Sequence, residues 1–263
     1  MISPRRLRSL IIVAICLVPV ALSAQDAIVK AVRTAMTPAL PFPDTDASGA
    51  LPAGGSTDAP WMVVPLQPGD STIELLANPL NPVNQVRAAR AMAQIEASIE
   101  TAQRRAAAQF DRAVAEAQRT GKSQPVDGVT LADEGIAGAK IDAESHVTIE
   151  VASNQPAYQF TIDSSIQPAL STAVAIPSAA VIASPSNTYH DGGLGADRYA
   201  EAQTIVFLGR VTAQVQKRSD HSYEVTAASN APSSIVIRMR GNELLIADLL
   251  RKTDWNSLQE LIK

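Results

Sequence analysis

The densest run of oxygen-bearing side chains, Asp44-Thr45-Asp46-Ala47-Ser48-Gly49, matches the opening half of a calcium loop. Asp44, Asp46 and Ser48 would offer oxygen ligands at alternate positions, and Gly49 would permit the sharp turn such loops need. Leu51 falls where these loops often carry an apolar residue, but Gly55 stands where the closing bidentate glutamate belongs. Prolines flank the segment, so paired helices are not expected around it. These three residues are the metal-ligand candidates, with calcium the only cofactor in question, and an acidic linker also produces such a string.

Other patterns stop short of a reacting set. Gly121-Lys122-Ser123 resembles the end of a phosphate loop, yet Glu116 holds the earlier glycine position and a helix, not a strand, precedes it. Gly193-Leu194-Gly195 has Arg198 at the third glycine position of a dinucleotide fingerprint. There is no G-x-S-x-G elbow. The three histidines, His146, His190 and His221, have no partner at H-E-x-x-H spacing. His190 beside Asp191, among glycines, is the most site-like pair, although a solvated turn explains it too. Asp142, Glu144 and Glu150 fall on alternating polar positions, where acid-base work would still need one carboxyl desolvated. No catalytic residue is assigned, and an enzyme is not expected.

The amino terminus carries a clearer instruction. Arg5, Arg6 and Arg8 precede an apolar run from Leu10 to Leu22, and Ser23-Ala24 follow before Gln25; no acid occurs before Asp26. This is the order of a secretory signal peptide, and the run falls short of the ~20 apolar residues of a spanning helix. An uncleaved membrane anchor is the alternative. Ile15 and the continuing apolar run disfavour lipidation at Cys16.

Loss of residues 1–24 removes three of the 22 Lys+Arg, none of the 26 Asp+Glu, and the single cysteine, leaving a charge of −7. Such a chain has no disulfide or thiol nucleophile and depends on its core. Its acidity and sparse aromatics argue against nucleic acid as a partner.

The elements that would position any site follow in order. Residues 25–80 read as a Pro/Gly/Ser-rich linker, with a short amphipathic helix presenting Ile28, Val29, Val32 and Met36. Trp61-Met62-Val63-Val64 is expected to dock on the folded body. Asn81-Pro82 supplies a cap and a first helical proline, and Gly121 a stop, which predicts a helix of roughly 55–60 Å over 81–121. Its stripe is Ala88, Ala91, Ile95, Ile99, Ala102, Ala106, Phe110, Ala113 and Ala117, stepping 3, 4, 4. That eleven-residue repeat suits a nearly straight or slightly right-handed coiled coil. The stripe can lie across the chain's own β region or form a self-association seam. Ala88, Ile95, Ile99, Ala102, Ala106 and Phe110 are the interaction candidates.

Alternation then replaces helical spacing. Residues 128–185 are expected to be rich in hairpins, with Val147, Ile149 and Val151 turning at Asn154-Gln155-Pro156 into Tyr158, Phe160 and Ile162. Strands are expected around 173–176 and 179–182, and a polar loop over 184–197. Residues 200–263 predict an antiparallel sheet with a continuously apolar strand at 204–208, alternating strands at 211–216 and 223–227, and a third presenting Ile235, Ile237 and Met239. Arg238 and Arg240 point the other way. Two short helices follow, carrying Leu245, Leu249 and Leu250, then Trp255, Leu258 and Ile262. The fold class is α+β, a long helix followed by an antiparallel sheet region and two short C-terminal helices.

These features lead first to an exported, periplasmic or secreted, non-enzymatic envelope protein acting through protein contacts or self-association. The second reading is a carrier holding an apolar ligand, which would require Phe207, Val225, Ile235, Ile237 and Met239 to line a cavity. The third is a hydrolase assembled only in space around His190 and Asp191.

Overall fold

The computed structural model describes residues 24–39, 59–64, 66–122, 132–170, 176, 178–191, 196–218, 222–229 and 233–262. The fold is α+β, and its centre is a seven-stranded antiparallel sheet. In space its order is β1 (Trp61–Val63), β2 (Thr72–Ala77), β3 (His146–Ser153), β12 (Ile235–Gly241), β9 (Ala202–Leu208), β6 (Ala179–Ser184) and β5 (Ala169–Leu170). A second sheet runs β10 (Val211–Lys217), β11 (Ser222–Ser229), β4 (Ala157–Asp163), and β7 (Asn187–Asp191) pairs with β8 (Ala196–Ala200).

Each face of the large sheet has its own core. On one face Val147, Ile149, Val151, Val206, Leu208, Ile235, Ile237 and Met239 meet three helices: α1 (24–36), α4 (Glu243–Lys252) and α5 (Trp255–Glu260). Helix α1 buries Val29, Val32 and Met36 there, the face expected from its spacing. On the other face Ile182, Ile205, Phe207 and Val236 meet Tyr158, Ile162 and Val225 of the small sheet, with Phe160 set edge-on to Phe207 at 6.2 Å. The apolar run Ile205-Val206-Phe207-Leu208 of β9 is therefore buried on both sides.

Backbone chemistry fixes the crossing from sheet to helix. Gly241 has φ +119, and a Cβ there would lie 2.2 Å from the His146 carbonyl oxygen, so the strand end accepts no side chain. Asn242 then caps α4 by accepting from the Leu245 N–H, and its Nδ2 donates to the Glu144 carbonyl.

The expected hairpin of Val147–Val151 with Tyr158–Ile162 does not form. β3 pairs with β2 and β12, whereas β4 pairs with β11 in the other sheet. The apolar faces of the two strands serve different cores, and Asn154, at φ 55 ahead of Pro156, turns the chain from one sheet to the other. The stretch assigned as linker holds β1 and β2, whose Ile73 and Leu75 are buried in the helix-side core. The hairpin-rich region opens instead with helix α3 (Ala132–Ser145), and the polar loop at 184–197 contains the hairpin β7–β8. Of the strand expected around 173–176, residues 173–175 lie outside the described residues.

The long helix α2 (Pro82–Thr120) has the termini its sequence dictates. Asn81 accepts from the Val83 and Asn84 amides, and Gly121 ends the helix at φ 68. Among the described elements its main packing partner is α3 rather than a sheet.

Candidate functional site

The large sheet's inner face is apolar only where the small sheet covers it. Further along β12, Arg238 and Arg240 project from the same side, two residues apart, because strand side chains alternate. Arg238 sits directly opposite Glu150 in the β3–β12 register. Its guanidinium donates to Gln203 Oε1 at 2.8 Å and to the Thr161 carbonyl at 3.0 Å, and lies 3.5 Å from Glu150. It also stands over the Phe160 ring at 5.6 Å. Thr161 belongs to β4, an edge of the small sheet, so this bond fastens one sheet to the other.

Arg240 lies 3.2 Å from Glu150 and 3.8 Å from Glu201. His146 lies at the end of this run of contacts: Nε2 is 3.5 Å from Glu201 and Nδ1 is 2.7 Å from the Asp142 carbonyl. The Nε atoms of both arginines are buried without a hydrogen-bond partner. Burial holds the Arg238 pKa below the ordinary arginine value, opposed by the Glu150 carboxylate; a guanidinium remains charged regardless.

A hollow of ≈ 330 Å³ opens beside this cluster, walled by Ala139 and Asp142 of α3, Thr161 and Asp163 of β4, and Tyr199 of β8. The arginines that line it, Arg238 and Arg240, already face the Glu150 carboxylate. The arrangement can brace two sheets.

The second candidate is the helical arm. The start of α2 is welded to the β1 entry by asparagines. Asn84 Nδ2 donates to the carbonyls of Pro60 (2.5 Å) and Asn78 (3.0 Å), and Asn78 Nδ2 donates to that of Ala59 (2.8 Å). From that anchor 39 residues run about 58 Å, against about 21 Å for the 14 residues of α3.

The predicted stripe is only partly covered. Ala102 is buried; Ala91, Ile95, Ile99, Ala106, Ala113 and Ala117 are half-buried; Ala88 and Phe110 are exposed. Along the edge of the stripe, at Phe110 and beside it, large apolar side chains stay out: Met92 is 54 % exposed, Phe110 59 % and Val114 39 %. Met92 and Phe110 are 18 residues apart, five turns at 3.6 residues each, so they lie on one line about 27 Å long.

The calcium-loop candidates Asp44, Asp46 and Ser48 lie outside the described residues. Among the described residues no three His, Cys, Asp or Glu side chains gather as a metal site. His190 and Asp191 lie at the end of strand β7, in register with Asp197 and Ala196 of β8. The five residues required to line a carrier's cavity are almost fully buried, and they divide between the two cores. Among the described residues no helix is long and apolar enough to cross a membrane.

Sequence reasoning placed Arg238 and Arg240 on the polar side of their strand but missed the cluster. Its partners come from β3, β9 and β4, and only the pairing order brings them together. The chain matches no known family model, no curated protein and no solved structure.

Proposed function

We propose that this is an exported, non-enzymatic envelope protein that works by binding protein through its α2–α3 arm. One observation carries the reading: the line of Met92, Phe110 and Val114 stays exposed on a helix whose apolar stripe is covered only in part. Scattered apolar residues on a surface need no explanation, but an aligned set on a long helix suits a partner helix or a second copy of the chain. The leader-like residues 1–24 support export.

A photo-crosslinking side chain placed at Met92 and at Phe110 tests this in the cells that make the protein. The expected result is a discrete protein adduct from both positions and none from Arg105, which lies on another side of the helix. Equal adducts from all three positions, or none, would overturn the reading. The mass of the adduct tells self-association from a different partner.

A further inference from the structure

The same arm carries a feature that its exposed apolar line does not use. Where α3 ends against the first turns of α2, two adjoining hollows of ≈ 270 and ≈ 790 Å³ share Arg87, Ala91, Ile141 and Glu144 as walls. Together they form a groove along α2 from Pro82 to Gln94. Its apolar surface comes from Val83, Val86 and Ala91 on one helix and Ile141 on the other. Arg87, Arg90 and Lys140 stand around it, all exposed, with Glu144 the one acid among the lining residues.

This charge is out of keeping with the rest of the molecule. The whole chain is acidic, at −4. Elsewhere on α2, Arg104 pairs with Glu100 and Arg119 with Glu116. Among the described residues Arg87, Arg90 and Lys140 make no ion pair. Among the same residues Arg105 and Arg112 make none either, so it is the apolar trough beside them that sets Arg87, Arg90 and Lys140 apart. Three unpaired cations around an apolar trough present a surplus of positive charge where one helix meets another. A groove of this kind selects a ligand with carboxylates at its edges and apolar side chains between them.

We propose that this groove docks a short acidic, amphipathic segment of a partner protein. The proposal rests on the protein-binding reading above and names the chemistry of the bound segment. From Pro82 to Gln94 the groove is about 18 Å long, the span of five or six extended residues. Alternation in an extended segment would send apolar side chains toward Val86 and Ile141, and carboxylates toward the three cations. A membrane surface fits less well, because Glu96, Glu100, Asp111 and Glu116 interrupt any continuous basic face on α2.

Fluorescence anisotropy with a labelled peptide alternating glutamate and leucine tests the assignment on the full chain. The comparison probes are the matching lysine–leucine peptide and vesicles of phosphatidylglycerol with phosphatidylcholine. Saturable binding of the acidic peptide is expected, weakened roughly tenfold or more in Arg87→Glu/Arg90→Glu and falling with salt. Arg105→Glu/Arg112→Glu, further along the same helix, should bind as wild type does. Lys140→Glu, on the opposite wall, should also weaken binding, which keeps the test independent of any misfolding in the double variant.

Equal binding of the basic peptide, no saturable binding, an equal loss in the Arg105/Arg112 control, or preference for vesicles would overturn the groove assignment. If the acidic peptide fails while crosslinks at Met92 and Phe110 persist, the arm remains an interface and only its ligand is wrong. If both fail, the protein-binding reading falls with it.

Discussion

Replacing Arg238 by methionine separates a structural brace from a binding residue. Methionine keeps the apolar stem and a favourable contact with Phe160 while removing charge and donors. The change removes the donor to the Thr161 carbonyl and to Gln203 Oε1, now at 3.0 and 2.8 Å; exposed Thr161 can turn to water, whereas buried Gln203 cannot. Hydrogen bonds from a charged donor contribute about 1.5–3 kcal/mol each. Relief of the buried, unpartnered Nε returns about 1–3 kcal/mol, and Glu150 keeps Arg240 at 3.2 Å. The net cost should be about 2 kcal/mol.

Arg240→Met provides the internal comparison. Its side chain is 34 % exposed against 15 % for Arg238, and its charge contacts are at 3.2 and 3.8 Å. Partly exposed pairs of this kind contribute about 0–1 kcal/mol. Urea denaturation at neutral pH should lower the midpoint more for Arg238→Met than for Arg240→Met, with the slope unchanged in both. Equal losses, or an Arg238→Met protein as stable as wild type, would refute the brace. The second outcome is physically available, since buried ion pairs are sometimes replaced without loss. It would then mark the adjoining hollow as the reason the arginine is there.

Three further outcomes follow from the geometry. Gly241→Ala should destabilise by about 3 kcal/mol or more, read as a fall in Tm, because a left-handed φ is added to a clash with the His146 carbonyl. Asn84→Ala should cost about 2 kcal/mol and speed amide exchange in the first turns of α2, since it releases the Pro60 and Asn78 carbonyls. Asp254 caps α5, and its hydrogen bonds from Ser257 hold its pKa below the ordinary carboxylate value. A depressed native pKa stabilises above the unfolded value of about 4 and is lost as pH falls through the native value. Denaturation midpoints should therefore fall less steeply below about pH 4 for Asp254→Asn, which keeps the cap but cannot titrate.

What the sequence revealed was local, and what it concealed was pairing. Asn81, Pro82 and Gly121 define α2 because caps act through their own backbone neighbours. Alternation correctly marked which residues of β3, β11 and β12 face a core. It could not say which strand lies beside which, so β3 and β4 read as a hairpin although they belong to two sheets. Helix α3 escaped notice because Gly135 and Gly138, with several alanines, leave its apolar stripe faint. β2 was hidden behind the prolines and glycines that precede it. The charge cluster required knowing that β12 lies between β3 and β9, and the groove required α3, so neither could emerge from spacing alone.

Native mass spectrometry of the protein purified from the cells that make it tests the protein-binding claim most directly. The expected wild-type species carries a second polypeptide, either another copy or a partner, and Met92→Ser/Phe110→Ser with unchanged circular dichroism runs as a bare monomer. A wild-type protein that is itself a bare monomer, or a monomer carrying only a small-molecule adduct, would contradict the account.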